Sequence, residues 1–402
     1  MRIKELLAIE TGPGMAGPLV TRTLGDLGAR VIKVESGTRL DFGKARLPPP
    51  GKTAEDSLES PGVMEMSGGK ESVSLNLKTE AGRELFLQLI DLADVYVESY
   101  APGWLERLGL SLKLFQERNP GLVILSQSAY GGDGPRSDQR AYAPLMTALA
   151  GVESLVGYED GRIVPQIASA VGDIVAAKLG NVLVLAALHE RERNGLGVSL
   201  DMSQTEASVA MTGIALAQYG LTGEVPLPRG NRDPRAVPHG VFQAAGEDAW
   251  VAIAVWTDAE WERLCGELGV AESDRRRFAA LESRLAAPDE VEAVVSARTA
   301  LVPRDALFQR LQAAGVACTP VLDTYESDEF PVLRERNLWS SVPHPRLGEL
   351  RMTEVPWKFE KSELRRSSYA EKLGASTDRV LTELLSATPQ QLADWRAAGV
   401  LD

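Results

Sequence analysis

Cysteine and histidine are scarce in this chain of 402 residues, with two of the first and three of the second. Cys265 and Cys318 are too few for a disulfide framework and neither stands in a CxxC spacing, so both read as packing residues. His189, His239 and His344 lie far apart with no Cys or His at ligand spacing, which leaves a metal site without support. Positive charge is also in deficit. Forty-three Lys and Arg against 56 Asp and Glu give a formal charge of −13, which repels a polyanion and argues against nucleic acid as a partner. Long uncharged apolar runs are lacking too: the opening MRIKELLAIETGPG is too short for a signal peptide, and no later segment approaches the length of a membrane span. A cytoplasmic protein with no membrane partner is expected.

What is present is ordinary globular composition, 44% hydrophobic and 25% charged, in a chain long enough for two domains. The N-terminal part alternates strand-like and helical runs, a strand at 5–10, a helix at 17–27 and a strand at 30–35, which is a βαβ opening. Further strands are read at 73–77, 94–99, 122–128 and 198–202, with helices at 79–92, around 104–108 and from Tyr142. The pattern predicts an α/β fold with a parallel sheet and right-handed crossovers. Character changes near Ser203: an alanine-rich helical connector and the linker GLTGEVPLPRGNRDP lead to a smaller α+β domain, with a strand at 250–256, a helix at 258–268 and a final strand at 316–323. The segment VPHPRLGELRMTEVPWKFE and the helical tail TDRVLTELL then return toward the first domain.

The most informative stretch is VGDIVAAKLGNVLVLAALHERERNGLG, residues 171–197, which sets Asp173 directly before a long helix that is apolar on nearly every face and is expected to be buried. A carboxylate there is a candidate nucleophile, kept ionised by the helix N-terminal N–H groups, which lower its pKa. The competing reading makes it a plain N-cap. A second motif, Gly12, Gly14 and Gly17 as GxGxxG after a strand and before a helix, with Glu35 ending the next strand, suggests a dinucleotide site and an NAD-dependent dehydrogenase. No histidine–carboxylate pair for hydride chemistry follows in the second domain, and glycine there suits close approach to any phosphate or thioester.

Six stretches in order carry a resemblance across nearly the whole chain: GMAGPLVTRTLGDLGARVIKVE, GGKESVSLNLKTEAGRELFLQLIDLADVYVE, APGWLERLGLS, NPGLVILSQSAYGGDGP, GDIVAAKLGNVLVLAALHERERNGLGVSLDMSQTEA and GNRDPRAVPHGVF. The chain resembles the class III CoA-transferase family, which includes formyl-CoA and carnitine CoA-transferases and has the α-methylacyl-CoA racemases as relatives. The resemblance implies that Asp173 attacks an acyl-CoA thioester, passing through an aspartyl anhydride and an aspartyl-CoA thioester to deliver CoA to a free carboxylic acid. It also implies CoA thioesters as substrates, with no permanently bound cofactor.

By the same resemblance Gly14, Met15, Ala16, Leu75, Ser99 and Tyr100 match CoA-contacting positions, with the Tyr100 ring offered to adenine, and Arg107 and Arg140 match basic positions near the CoA phosphates. Several positions depart from formyl-CoA transferase. Met15 replaces a glutamine; Ser36 replaces an arginine, whose contact is then lost or supplied by nearby Arg39; Lys70 lies in GGK where asparagine or arginine usually precedes the lysine, and its role is open. DPRAVPHG stands where that enzyme has a glycine-rich loop, so Arg235 and His239 are expected in the acyl pocket, favouring a dicarboxylate such as succinate or a substituted succinate. Tyr142 stands where the racemases carry histidine, which disfavours racemisation. An acyl-CoA racemase, an intramolecular CoA isomerase, or one subunit of a heteromeric transferase are the competing functions. The resemblance further implies a ring-shaped chain interlocked in a homodimer, or a heterodimer or heterotetramer with a homologous subunit. A Rossmann-like large domain would then comprise residues 1–202 completed by 345–402, with the small domain at 225–325 and connectors at 203–224 and 326–344.

Overall fold

The computed structural model describes residues 3–38, 41, 60–164, 170–361 and 368–401. The chain divides into two compact units, one formed by Met1–Glu153, Pro165–Val225 and Arg334–Asp402, the other by Ser154–Val164 and Pro226–Leu333.

In the larger unit, six strands, β1 (Leu7–Glu10), β2 (Arg30–Glu35), β3 (Glu71–Ser74), β4 (Val95–Glu98), β5 (Val123–Ser128) and β6 (Ser199–Ser203), form one sheet in the order β3-β2-β1-β4-β5-β6. Every pairing is parallel. Strands such as VYVE and VILSQS are buried almost throughout because helices cover both faces, so alternate residues enter separate cores. Leu7, Ile9, Ile32, Tyr96 and Ile124 enter one, with the helix Glu80–Leu92 and the C-terminal Val380, Leu381, Val400 and Leu401. Ala8, Val31, Val95, Val97, Val123 and Leu125 enter the other, with α1 (Ala16–Asp26) and the long helix Val171–Asn194. The strand order reverses direction between β1 and β4, and in such sheets ligands bind outside the carboxyl ends of the strands at that point.

Three further helices of this unit concern the site: α2 (Ala143–Leu149), α3 (Val171–Asn194) and α4 (Gln204–Val209). Three expectations change here. The run 104–108 forms only a 3-10 turn at Glu106–Leu108. Helix α3 is buried along one face by Ala176, Ala177, Gly180, Val184 and Leu188, while Val182 is 64% exposed, so apolar composition overstated its burial. It is also long and apolar enough to cross a membrane by length and composition, against the expectation that no segment is; its packing on α1 and β5 is that of a core helix. A hairpin, β10 (Trp339–His344) with β11 (Gly348–Thr353), packs Val342 and Met352 against Val63 and Met64.

The smaller unit holds an antiparallel sheet, β7 (His239–Gln243), β8 (Trp250–Ala254) and β9 (Ala317–Val321), in that order. Helices including Asp258–Leu268, Pro288–Thr299 and Arg304–Ala313 supply its core around Trp261, Phe278, Val291 and Leu307. Cys265 and Cys318 are both buried in it as free thiols, and burial raises their pKa to about 12 and about 11.

Candidate active site

Asp173 is not an N-cap. Helix α3 begins two residues earlier, with Ala170 as its cap in the left-handed region at φ 44°, so the carboxylate belongs to the first turn, where it faces the positive end of the helix dipole. That turn is tightly packed. A Cβ at Gly172 would stand 3.2 Å from both Ser208 Oγ on α4 and Thr147 Cγ2 on α2. Burial raises the Asp173 carboxyl to about 6, where a lowered value was expected. The physical reason is that no cation or hydrogen-bond donor among the described residues compensates its desolvation. Such a group at pH 7 is still about nine-tenths ionised, and it is more basic than an ordinary aspartate.

Asp173 lines a cavity of about 420 Å³ assembled from the loops at the carboxyl ends of β1 to β5. After β1 comes Thr11–Ala16. Gly14 adopts φ 79°, and a Cβ at Gly12 would fall 2.5 Å from Ser99 Oγ and 3.0 Å from Ser99 N. The glycines therefore let the loop after β1 lie against the loop after β4, where Ser99 Oγ donates to Pro13 O at 3.1 Å. Met15 caps α1 without offering a side-chain acceptor. After β4, the rings of Tyr100 and Trp104 stack at 3.9 Å and 19°, and the Tyr100 N–H donates to Glu98 Oε2 at 2.7 Å. Burial raises Glu98 to about 7. The cavity also takes Leu75 and Lys78 after β3, Ala129 after β5, and Gln139, Arg140, Tyr142 and Met146 around the start of α2. Gln204, on α4, completes it.

Beneath the loop after β1 lies a buried cluster of charge. Glu10 is fully enclosed and receives Lys33 Nζ at 2.9 Å and Lys70 Nζ at 2.6 Å; Thr21 Oγ1 also donates to it. Lys33 Nζ reaches Asp41 at 3.2 Å and Gly12 O at 3.3 Å, and the Gly14 N–H donates to Asp41 Oδ1 at 3.1 Å. Burial works to raise Glu10, but Lys33 and Lys70 outweigh it and hold the group at about 2. Burial lowers Lys70 to about 8 against the pull of Glu10. Lys33 is held above its ordinary value, Glu10 and Asp41 overcoming its own burial.

The structure thus brings Asp173 together with Gly14, Met15, Ala16, Leu75, Ser99, Tyr100, Arg107, Arg140 and Tyr142, and Ser36 joins them. Arg39 lies outside the described residues. Arg235 and His239 belong to the smaller unit and meet around Trp256: the Arg235 guanidinium lies 5.5 Å over that ring and pairs with Asp233 at 3.1 Å, while His239 approaches it edge-on and bonds Asn231 O through Nδ1. Sequence reasoning missed Lys78, Trp104 and Gln204. The signal for Lys78 was its place just beyond a strand of a parallel sheet, and for Trp104 its spacing of four from Tyr100.

Residues 3–377 match the profile of CoA-transferase family III. An acetyl-CoA:oxalate CoA-transferase of Acetobacter aceti is 31% identical over 341 residues, covering 83% of this chain and 84% of that protein. A succinyl-CoA:mesaconate CoA-transferase of Haloarcula marismortui is 31% identical over 353 residues, 85% of this chain and 86% of its own length. Among solved structures, a CaiB/BaiF family protein from Brucella suis superposes with a TM-score of 0.86 at 27% identity, over 95% of this chain and 99% of that one.

Proposed function

The chain belongs to CoA-transferase family III, and from that premise we propose that it moves CoA from an acyl-CoA to a dicarboxylic acid with Asp173 as the covalent relay. The observation that carries this reading is the common cavity, in which the partly buried, uncompensated carboxylate of Asp173 shares walls with an aromatic stack, the glycine-spaced loop after β1 and the cations Lys78, Arg107 and Arg140. Dicarboxylates are the acids that the names of the Acetobacter and Haloarcula relatives print, oxalate and mesaconate.

The chemistry balances without a proton donor. An Asp173 oxygen attacks the thioester carbonyl, the C–S bond breaks, and CoA thiolate leaves an acyl-aspartyl anhydride. The thiolate attacks the aspartyl carbonyl of that anhydride and expels the donor's carboxylate, forming aspartyl-CoA. The acceptor carboxylate attacks this thioester and releases CoA thiolate, giving a second anhydride. Thiolate attack on the acceptor's carbonyl frees the Asp173 carboxylate and the new acyl-CoA. Each tetrahedral oxyanion needs oriented donors, which a helix N-terminus at the cavity wall favours.

The test is mass spectrometry of the purified chain with a panel of CoA esters and free acids. Donor alone is expected to leave an adduct at Asp173 that hydroxylamine cleaves, and acceptor to discharge it. An adduct mapped to another residue, or near-normal transfer by Asp173→Ala, would reduce the carboxylate to a helix-terminal residue.

A further inference from the structure

Lys70 has no place in the chemistry above. It is 3% exposed, it does not line the cavity, and it stands immediately before β3, far in sequence from the loop after β1. Its ammonium is nonetheless gripped at two points, by Glu10 Oε2 at 2.6 Å and by Pro18 O in the first turn of α1 at 2.7 Å. Thr21 Oγ1 donates to the same Glu10 carboxylate and lies 3.1 Å from Pro18 O. On the other Glu10 oxygen, Lys33 reaches over to Gly12 O. One buried carboxylate at the end of β1 therefore organises two ammonium groups, one holding the chain before Gly14 and the other holding it after Ala16. Between those two holds lie Gly14, Met15 and Ala16, which share the cavity with Asp173.

We propose that Lys70 is a positioning residue for CoA transfer, fixing the Gly12–Ala16 segment against Asp173 through Glu10 and Pro18. A buried ion pair is a poor way to gain stability, because desolvating the charges consumes most of their attraction, and apolar replacement of such pairs is often neutral or favourable. What a doubly held backbone supplies is geometry. A shift of about 1 Å in a group next to the reacting atoms can cost about 100-fold in rate. The remaining charges facing the cluster are Asp41 and Glu35 near Lys33, and Arg22 on α1, whose guanidinium pairs with Asp26.

This inference rests on the covalent-aspartate reading, so wild-type enzyme is measured in parallel. Removing Lys70 alone would leave the Glu10 and Asp41 carboxylates sharing the single ammonium of Lys33, so the variant tested is Lys70→Met combined with Glu10→Gln. It deletes one charge of each sign and leaves the Lys33–Asp41 pair neutral overall. The expected result is a folded protein with near wild-type Tm, a KM for acyl-CoA within about 3-fold, and kcat lowered by about 30- to 100-fold, with formation of the hydroxylamine-sensitive adduct slowed in proportion. Lys70→Arg, which keeps the charge and changes the reach, is expected to retain more kcat than the double variant. A double variant with wild-type kcat, or one that does not fold, would assign the cluster to the fold alone and overturn the proposal. Wild-type enzyme that transfers CoA without an adduct at Asp173 would instead remove the relay reading while leaving the comparison of kcat values intact.

Discussion

Asp173 carries two opposed demands, and its environment fixes the sign of each. As a nucleophile it must be ionised, so kcat/KM for the acyl-CoA is expected to fall about tenfold per pH unit below about 6, the value to which burial raises it. A pH profile flat down to about 4 would contradict that. For stability the same shift acts the other way. A carboxyl whose folded pKa lies above its unfolded value of about 3.8 costs nothing below that pH; the cost builds between about 3.8 and 6 and is full above. Asp173→Asn is therefore expected to gain about 1–2 kcal/mol near pH 7.5, after allowance for partial exposure, and nothing near pH 3.5, while transfer falls by several orders of magnitude. Denaturant melts at both pH values check the first, and steady-state assays the second. The cations of the cavity wall act on binding. Lys78→Ala and Arg107→Ala are each expected to weaken CoA by about 1–3 kcal/mol, measured by calorimetry, through loss of a charge-assisted contact to phosphate. The variant whose effect vanishes with dephospho-CoA identifies the partner of the 3′-phosphate; unchanged affinity in both would dismiss the phosphate assignment.

How far the elements were legible depended on whether their signals were local. The helix Asp258–Leu268 is found where the sequence places it, because Thr257 and Glu260 close a capping box at one end and Gly269 turns left-handed at the other. The helix Glu80–Leu92 likewise follows Thr79, whose side chain accepts from the Gly82 N–H. The run 104–108 has no such cap and settles as a 3-10 turn, its stacking on Tyr100 being a matter of ring contact rather than helical propensity. The GxGxxG spacing was legible as close approach, but the surface approached at Gly12 and Gly17 is Ser99 of a neighbouring loop. No local pattern links the charges at 10, 33 and 70, because only the sheet order β3-β2-β1 brings them together. Helix α3 offers a further test of local reasoning. Its cap, Ala170, adopts φ 44° and ψ 42°, a conformation that costs an L-residue about 1 kcal/mol and glycine almost nothing. Ala170→Gly is therefore expected to raise stability by up to about 1 kcal/mol, less the entropy of a more flexible unfolded chain. A clear drop in Tm would show that the alanine methyl is packed rather than strained.

For the whole molecule, the telling feature is apolar surface that a single chain leaves open. Val182 on α3 is 64% exposed, and Ile214 and Leu221 on the helix Gly213–Thr222 are 89% and 88% exposed, all within the larger unit. Single exposed leucines are common, but a 24-residue helix with an apolar outer side, together with a second exposed apolar helix in the same unit, is the composition of a surface that another chain covers. We propose that the working form is a dimer, with a second copy of this chain or a homologous subunit as the partner. Light scattering on the purified chain at about micromolar concentration is expected to give twice the chain mass. Ile214→Asp combined with Leu221→Asp is expected to shift that mass toward the monomer and to lower Tm, since each charge would otherwise be desolvated in the interface at a cost of several kcal/mol. Scattering and activity of the wild-type chain, alone and with a homologous subunit, separate the two partners. If wild-type chain alone scatters as a folded monomer and gains activity only when a homologous subunit is added, the heteromeric assembly is the correct one; if it remains monomeric and fully active, the exposed helices have another use and the dimer is excluded.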